Sequence, residues 1–165
     1  MTSVEDEIDS GGAALSQFDY ETAYKHFDKA AKLDGKNATA FFGKAEAALG
    51  LPKMEGEKIL EFYSKAVELE PDNAQYLEAY ALFCLDLARF NVAEKAFNSA
   101  ADADPDEAPM YWAEFAVQYV KRAPAAMESR GLDVDEKTME TIHRKALEYS
   151  LKAISLPKES AAKLL

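Results

Sequence analysis

The sequence predicts an all-α protein built from repeated helical hairpins, and three observations support this class. The pattern Ala-x4-Pro-Asp occurs at residues 66–72 and returns 34 residues later at 100–106. Apolar residues recur at intervals of three and four, as on one face of a helix. The chain of 165 residues contains only seven glycines and six prolines, too few for an all-β design. A fixed period of this length is typical of stacked helix-turn-helix repeats, in which each repeat buries its neighbour.

The clearest repeat spans residues 74–107, where two apolar stripes define two helices. Their members lie three or four residues apart on one face of each helix: Leu77, Tyr80, Ala81, Cys84, then Ala93, Phe97 and Ala100. Pro105 ends the second helix, because proline disfavours the helical conformation for the residue before it. Small residues on these stripes let the two helices approach closely, and large ones fill the space between them.

This repeat resembles the tetratricopeptide repeat. That family's pattern has a large apolar residue, a small residue, a tyrosine, then Ala-x3-Phe-x2-Ala and a closing proline. The stripe residues named above and Pro105 occupy eight places of the pattern with residues of the expected size. The resemblance implies antiparallel helix pairs that stack into a superhelix, or solenoid, whose concave groove binds other proteins.

The two preceding repeats are weaker matches, at residues 4–37 and 38–73. The second carries two extra residues in the turn at 50–56, and Lys44 replaces the expected leucine. In the first repeat, Ser3 is expected to cap the opening helix. Ile8, Gly12 and Leu15 fit the buried positions of the repeat pattern if the loop after this helix is one residue short. Gly35 replaces the closing proline as a helix stop.

The fourth repeat, residues 108–157, is longer than the others, because the equivalent alanines Ala100 and Ala153 lie 53 residues apart, 19 more than the period of 34. The extra residues lie between Val120 and Ile142, and we expect two extended helices joined at a tip, with Asp133 or Asp135 capping a helix over 136–156. The alternative is a disordered loop over 121–136. Pro157 closes the repeat and a short tail follows at 158–165. The predicted fold is therefore one all-α domain over residues 1–165, a superhelix of about four repeats with the last extended.

Catalytic and metal-binding patterns are absent from the sequence. The two histidines, His26 and His143, do not belong to any zinc motif, and no phosphate-binding glycine loop occurs. Glu140 and His143 have the spacing of a di-iron ligand pair, but a second such pair is missing. Cys84 falls on the buried stripe, where packing is its expected role. We therefore expect no catalytic residues, no metal and no cofactor, and a protein that is not an enzyme.

The charge of the chain limits the kinds of partner it can bind. A formal net charge of −11 disfavours nucleic acid and anionic membrane surfaces. The acidic N-terminus lacks the features of a signal peptide, and no apolar run is long enough to span a membrane. The single cysteine excludes an internal disulfide and fits a reducing compartment. The sequence thus favours a cytoplasmic protein whose partner is another protein or a peptide.

The resemblance implies that the first helix of each repeat lines the concave groove. Transfer of the groove positions by helical spacing gives eight expected partner-binding residues: Phe42, Glu46, Gln75, Glu78, Leu82, Trp112, Ala116 and Tyr119. Many family members hold a partner's C-terminal carboxylate with a cationic clamp, but here the clamp places carry Gly43, Gln75 and Ala79. An apolar partner segment with basic residues is therefore expected. The alternative is that Phe42 and Trp112 only pack between helices.

A second apolar stripe on the last helix marks a possible C-terminal interface formed by Leu147, Leu151 and Ile154. Either the tail covers it or a second copy of the chain does, which would give a homodimer. The predicted function is that of a non-catalytic adaptor or scaffold. The alternative is a small acidic chaperone for one secreted or assembling client protein.

Overall fold

The computed structural model describes residues 1–155, and within that range the chain is helical without any strand. Pro157 and the tail at 158–165 lie outside the described residues. The predicted all-α class is confirmed. Eight α-helices and one 3-10 turn (Pro105–Glu107) are formed in this range, with bounds α1 Val4–Ser16, α2 Tyr20–Leu33, α3 Ala38–Leu49, α4 Gly56–Leu69, α5 Ala74–Asp86, α6 Phe90–Ala103, α7 Ala108–Ser129 and α8 Glu136–Ala153.

The helices pack as consecutive pairs, and the chain divides into two compact halves. The N-terminal half, Met1–Pro71, holds the pairs α1–α2 and α3–α4, with α2 against α3. The C-terminal half, Asp72–Leu165, holds α5–α6 and α7–α8, with α6 and α5 against α7. Each half therefore contains two of the expected hairpins.

Side-chain caps explain where most of these helices begin. Ser3 and Asp6 form a capping box at α1, each accepting the other's backbone N–H. Four further N-cap side chains each accept a hydrogen bond from the backbone N–H three residues ahead: Asp19, Asn37, Asn73 and Asp135. Asp135, not Asp133, is thus the cap of α8.

The last hairpin has the predicted long helices, because α7 continues past Pro124 to Ser129; the disordered-loop alternative is wrong.

The core of the N-terminal half is built on one aromatic ring. Phe27 of α2 is 4% exposed and its ring fills the space where glycines leave no side chain. A Cβ added to Gly11 of α1 would lie 3.0 Å from that ring, and one added to Gly43 of α3 would lie 2.3 Å from it. Two glycines on facing helices thus let α1 and α3 approach the ring directly.

The expected buried face of α1 is only partly right. Ile8 and Leu15 are half-buried and pack against the core, but Gly12 is exposed, and the fully buried residues of α1 are Glu7, Gly11 and Ala14. The reason is the turn between α1 and α2, which occupies residues 17–19 and matches in length the turn at 87–89 between α5 and α6. The loop is not one residue short, so the helix keeps the ordinary repeat register.

Lys44 lies inside the hairpin where a leucine was expected. Its side chain is 13% exposed, and its Nζ lies 2.6 Å from Asp28 Oδ1 and 4.5 Å from the centre of the Phe62 ring. The aliphatic stem fills the space of the leucine, while the carboxylate and the ring face satisfy the charge.

Aromatic packing forms the core of the C-terminal half. Phe115 of α7 is fully buried, with its ring centre 5.4 Å from that of Phe97. It also lies 5.3 Å from Tyr119 and 4.5 Å from Tyr149 of α8. These rings tie α6, α7 and α8 together.

The turn between α1 and α2 holds a strained phenylalanine, which gives a stability prediction. Phe18 has φ of 59° and is 75% exposed, so it occupies the left-handed region with little packing in return. Because glycine adopts this conformation freely, we expect Phe18→Gly to raise the free energy of unfolding by about 0.5–1 kcal/mol in urea denaturation.

The matched control for this prediction is Phe18→Ala, which removes the same ring but keeps a Cβ in the left-handed region. It should give no comparable gain. A glycine variant no more stable than the alanine variant would show that strain at this turn is negligible.

Candidate protein-binding faces

The eight predicted groove residues do not form one described site. Phe42 and Glu46 lie on α3 in the N-terminal half, and the other six lie on α5 and α7 in the C-terminal half. Within the C-terminal half they separate again, because α7 directs its members toward different neighbours.

Phe42 and Glu46 are both tied to Tyr63 of α4. The Tyr63 hydroxyl donates to Glu46 Oε1, and the Phe42 ring centre lies 5.9 Å from that of Tyr63 in an edge-on arrangement. Burial, followed by the bond to Glu46, raises the pKa of the Tyr63 phenol, so it stays a donor. Glu46 is half-buried at the α3 surface with its carboxylate held in place.

Two carboxylates approach each other where α5 faces α7. Burial and the nearby charge of Glu114 raise the pKa of Glu78. Glu114 accepts a hydrogen bond from Gln118 Nε2 at 2.7 Å, and Leu82, one turn after Glu78 on α5, is half-buried. We call the surface formed by Glu78, Leu82, Glu114 and Gln118 the acidic face. Gln75 is exposed one turn before Glu78.

An ion pair closes one end of the acidic face. Arg122 Nη1 lies 2.8 Å from Asp86 Oδ2 and donates to the backbone carbonyl of Leu82 at 3.4 Å. Its Nε donates to Gln118 at 2.8 Å. Arg122 is two helical turns from Glu114, about 12 Å along α7. The cation is therefore engaged with Asp86, and Glu78 and Glu114 face each other as like charges.

Trp112, Ala116 and Tyr119 do not lie on the acidic face. Ala116 and Tyr119 are 3% and 6% exposed, and the Tyr119 ring centre lies 5.7 Å from that of Phe90 in α6. Trp112 Nε1 donates to Asn98 of α6 at 3.3 Å. Lys152 Nζ of α8 lies 4.3 Å from the Trp112 ring centre. Trp112 and Tyr119 thus contact α6 or α8, and Ala116 is buried.

The repeat period alone does not give the contacts between α5 and α7. Trp112 and Ala116 lie 34 residues after the predicted groove residues Glu78 and Leu82. Arg122 instead contacts Asp86 and the Leu82 carbonyl, which lie 36 and 40 residues before it. The side of α7 that faces α5 could have been recognised in the sequence from three polar residues spaced four apart, Glu114, Gln118 and Arg122.

The predicted C-terminal interface is only partly exposed. Leu151 is 3% exposed and Leu147 is half-buried, whereas Ile154 is 67% exposed. The homodimer through this edge stays a prediction.

Two further observations concern possible chemistry within residues 1–155. No group of three or more histidine, cysteine, aspartate or glutamate side chains in this part of the chain is placed to hold a metal ion. No helix found there is both long and apolar enough to cross a membrane. Cys84 is buried, as its stripe position predicts.

A buried carboxylate in α1 was not anticipated from the sequence. Glu7 is 2% exposed, with Oε2 2.7 Å from His26 Nδ1 and Oε1 2.5 Å from Lys29 Nζ. The Thr2 hydroxyl also donates to it. The hydrogen bond from His26, then those from Lys29 and Thr2, lower the pKa of Glu7 to about 2.

This network predicts a pH dependence of stability. Because the folded pKa of Glu7 lies below its ordinary value of 4.5, the carboxylate stabilises the fold above about pH 4.5 and loses that contribution as pH falls toward 2. Glu7→Gln should therefore lower the unfolding free energy most near pH 7 and least near pH 2. Asp9→Asn, on an exposed position of α1, is the control. A Glu7→Gln deficit that did not change with pH would contradict the assignment.

Comparison with known proteins gives partial matches. No protein-family model matches the chain. It is 39% identical over 97 residues, 58% of its length, to the protein STIP1 homolog of Dictyostelium discoideum. It is 40% identical over 63 residues, 38% of its length, to stress-induced-phosphoprotein 1 of Caenorhabditis elegans. The chain spans 16% and 19% of the lengths of these two relatives.

Three findings now agree on the type of protein. The helices form consecutive hairpins, the apolar positions recur with the repeat period, and the two relatives are tetratricopeptide-repeat proteins. The resemblance to the tetratricopeptide repeat that the sequence indicates is confirmed.

Proposed function

We propose that the chain is a non-catalytic adaptor that binds a partner protein through the acidic face, and that the bound segment carries a basic side chain beside apolar residues. The observation that carries this proposal is the pair Glu78 and Glu114. Burial and then the charge of Glu114 raise the pKa of Glu78, so the ionised Glu78 carboxylate is disfavoured in the free protein, and a lysine or arginine bound beside it would offset the repulsion.

The surroundings of the pair support an apolar segment around the basic residue. Leu82 lies one turn from Glu78 on the same face and is half-buried, which leaves apolar surface for a neighbouring side chain. Arg122 is already paired with Asp86, so the face has a net negative charge. An acidic segment would be repelled, in agreement with the missing cationic clamp.

The test is a selection of random peptides on the full chain, followed by affinity measurement of those selected. We expect enrichment of lysine or arginine next to leucine, phenylalanine or methionine. The double variant Glu78→Gln with Glu114→Gln should weaken binding roughly tenfold or more. The control double variant Glu128→Gln with Asp133→Asn also removes two negative charges, from exposed positions, and should leave affinity unchanged.

Two outcomes would contradict the proposal. One is enrichment of aspartate or glutamate in the selected peptides. The other is a double variant that binds selected peptides as tightly as the natural sequence.

A further inference from the structure

A pocket of about 340 Å³ opens at the end of the first hairpin, and its lining includes no residue of the acidic face. It is bounded by the end of α1, the first turn of α2 and the end of α3, and its lining residues are Leu15, Phe18, Tyr20, Glu46, Leu49 and Gly50. All six belong to the N-terminal half. A volume of this size suits one long side chain of a partner.

Aromatic and aliphatic side chains form the walls of this pocket. The Phe18 ring stands edge-on to the Tyr20 ring, with 6.4 Å between their centres. The Tyr20 ring lies directly against Gly50, where an added Cβ would be 2.1 Å away. Phe18 and Leu49 are 75% and 50% exposed at the rim. The pocket thus presents ring and aliphatic surface to solvent.

The exposure of the Phe18 ring is not a requirement of the turn that carries it. Ala88 occupies the same place in the turn between α5 and α6 with φ of 57°, so the left-handed conformation belongs to the turn and does not need an aromatic ring. The Phe18 ring is 75% exposed and gains little burial in the free protein. It therefore leaves aromatic surface available at the pocket rim.

Glu46 decides what kind of side chain the pocket would bind. It is the one charged residue among the six that line the pocket, and one of its oxygens accepts from Tyr63. A carboxylate has lone pairs for further donors. A purely apolar ligand would cover this charge without compensation, and an anion would be repelled. A guanidinium group stacks on aromatic rings and donates to carboxylates with the same planar group.

We propose that this pocket binds an arginine side chain of a partner protein, with the guanidinium against Phe18 and Tyr20 and donating to Glu46. The net charge of −11 favours the approach of such a cation. The proposal does not depend on the acidic face, because no residue is shared between the two sites.

The experiment uses the full isotope-labelled chain carrying Glu78→Gln and Glu114→Gln, so that the acidic face cannot contribute. The probes are three end-blocked pentaglycine peptides whose central residue is arginine, citrulline or leucine. Titration should shift the amide resonances of Phe18, Tyr20 and Leu49 with the arginine peptide. The citrulline peptide, which is neutral and of similar shape, should bind more weakly than the arginine peptide by about fivefold or more.

Two variants separate the roles of charge and ring. Glu46→Gln should remove the difference between arginine and citrulline. Phe18→Gly should weaken the arginine peptide about fivefold while the unfolding midpoint rises, so that loss of binding cannot be attributed to loss of fold. Equal or tighter binding of the leucine peptide, or no shifts at the pocket with arginine, would overturn the proposal. Arginine preference that persists in Glu46→Gln would also overturn it.

Discussion

Phe27→Ala should be among the most destabilising single substitutions in the N-terminal half, lowering the free energy of unfolding by about 3–5 kcal/mol. The ring is 4% exposed and fills the space left by Gly11 and Gly43. Without the ring, α1 and α3 face a cavity bounded by glycines, which offer no side chain to close it. Urea denaturation followed by circular dichroism measures the effect. Phe18→Ala, which removes an exposed ring of the same type, is the matched control.

The pairing of Phe27 with Gly43 makes this prediction sharper. Gly43→Ala alone should cost about 1–3 kcal/mol, because its Cβ would lie 2.3 Å from the ring. In the Phe27→Ala background the same change should be neutral or stabilising, since alanine favours helix over glycine by about 1 kcal/mol. Additive effects of the two substitutions would show that the ring does not occupy this space.

Glu114→Lys should reduce affinity for basic peptide partners by about a hundredfold or more, about 2.7 kcal/mol. The substitution places an ammonium group on α7 beside Glu78, where the partner's cation is proposed to bind. The free protein should become equally or more stable, because a repulsion is replaced by an attraction. Isothermal titration calorimetry with a selected peptide measures the affinity, and thermal unfolding measures the stability.

Glu128→Lys is the control for this charge reversal. It changes the net charge by the same amount on an exposed position of the same helix. If it weakened binding as much as Glu114→Lys, long-range attraction to the acidic chain would account for affinity and the site assignment would be wrong.

Helix order was predictable from the sequence because its causes are local. The apolar stripe at Leu77 and Cys84, the cap at Asp135 and the stop at Pro105 all act within a few residues. Residues 1–155 follow these signals closely, including the extended last hairpin. Gly12 was predicted on the buried face of α1 because the loop after this helix was expected to be one residue short, whereas the turn at 17–19 has the ordinary length of three residues.

The candidate site was only partly predictable because it depends on which sides of two helices meet. Glu78 and Leu82 were found from repeat positions, but Glu114 was missed because partners across the gap are 36 residues apart. Trp112 is half-buried and donates to Asn98, a contact that repeat positions alone do not reveal, and its role in partner binding stays a prediction. The network of Glu7 with His26 joins residues 19 apart and has no local pattern that would reveal it.

The most direct test of the acidic face is the pKa of the Glu78 carboxyl, measured by carbon NMR of glutamate-labelled protein with and without a saturating basic peptide. In the free protein this pKa should lie above the usual value for glutamate, because of burial and the charge of Glu114. On binding it should fall, since a nearby cation favours the ionised form. A pKa that is unchanged or raised by the peptide would contradict the account.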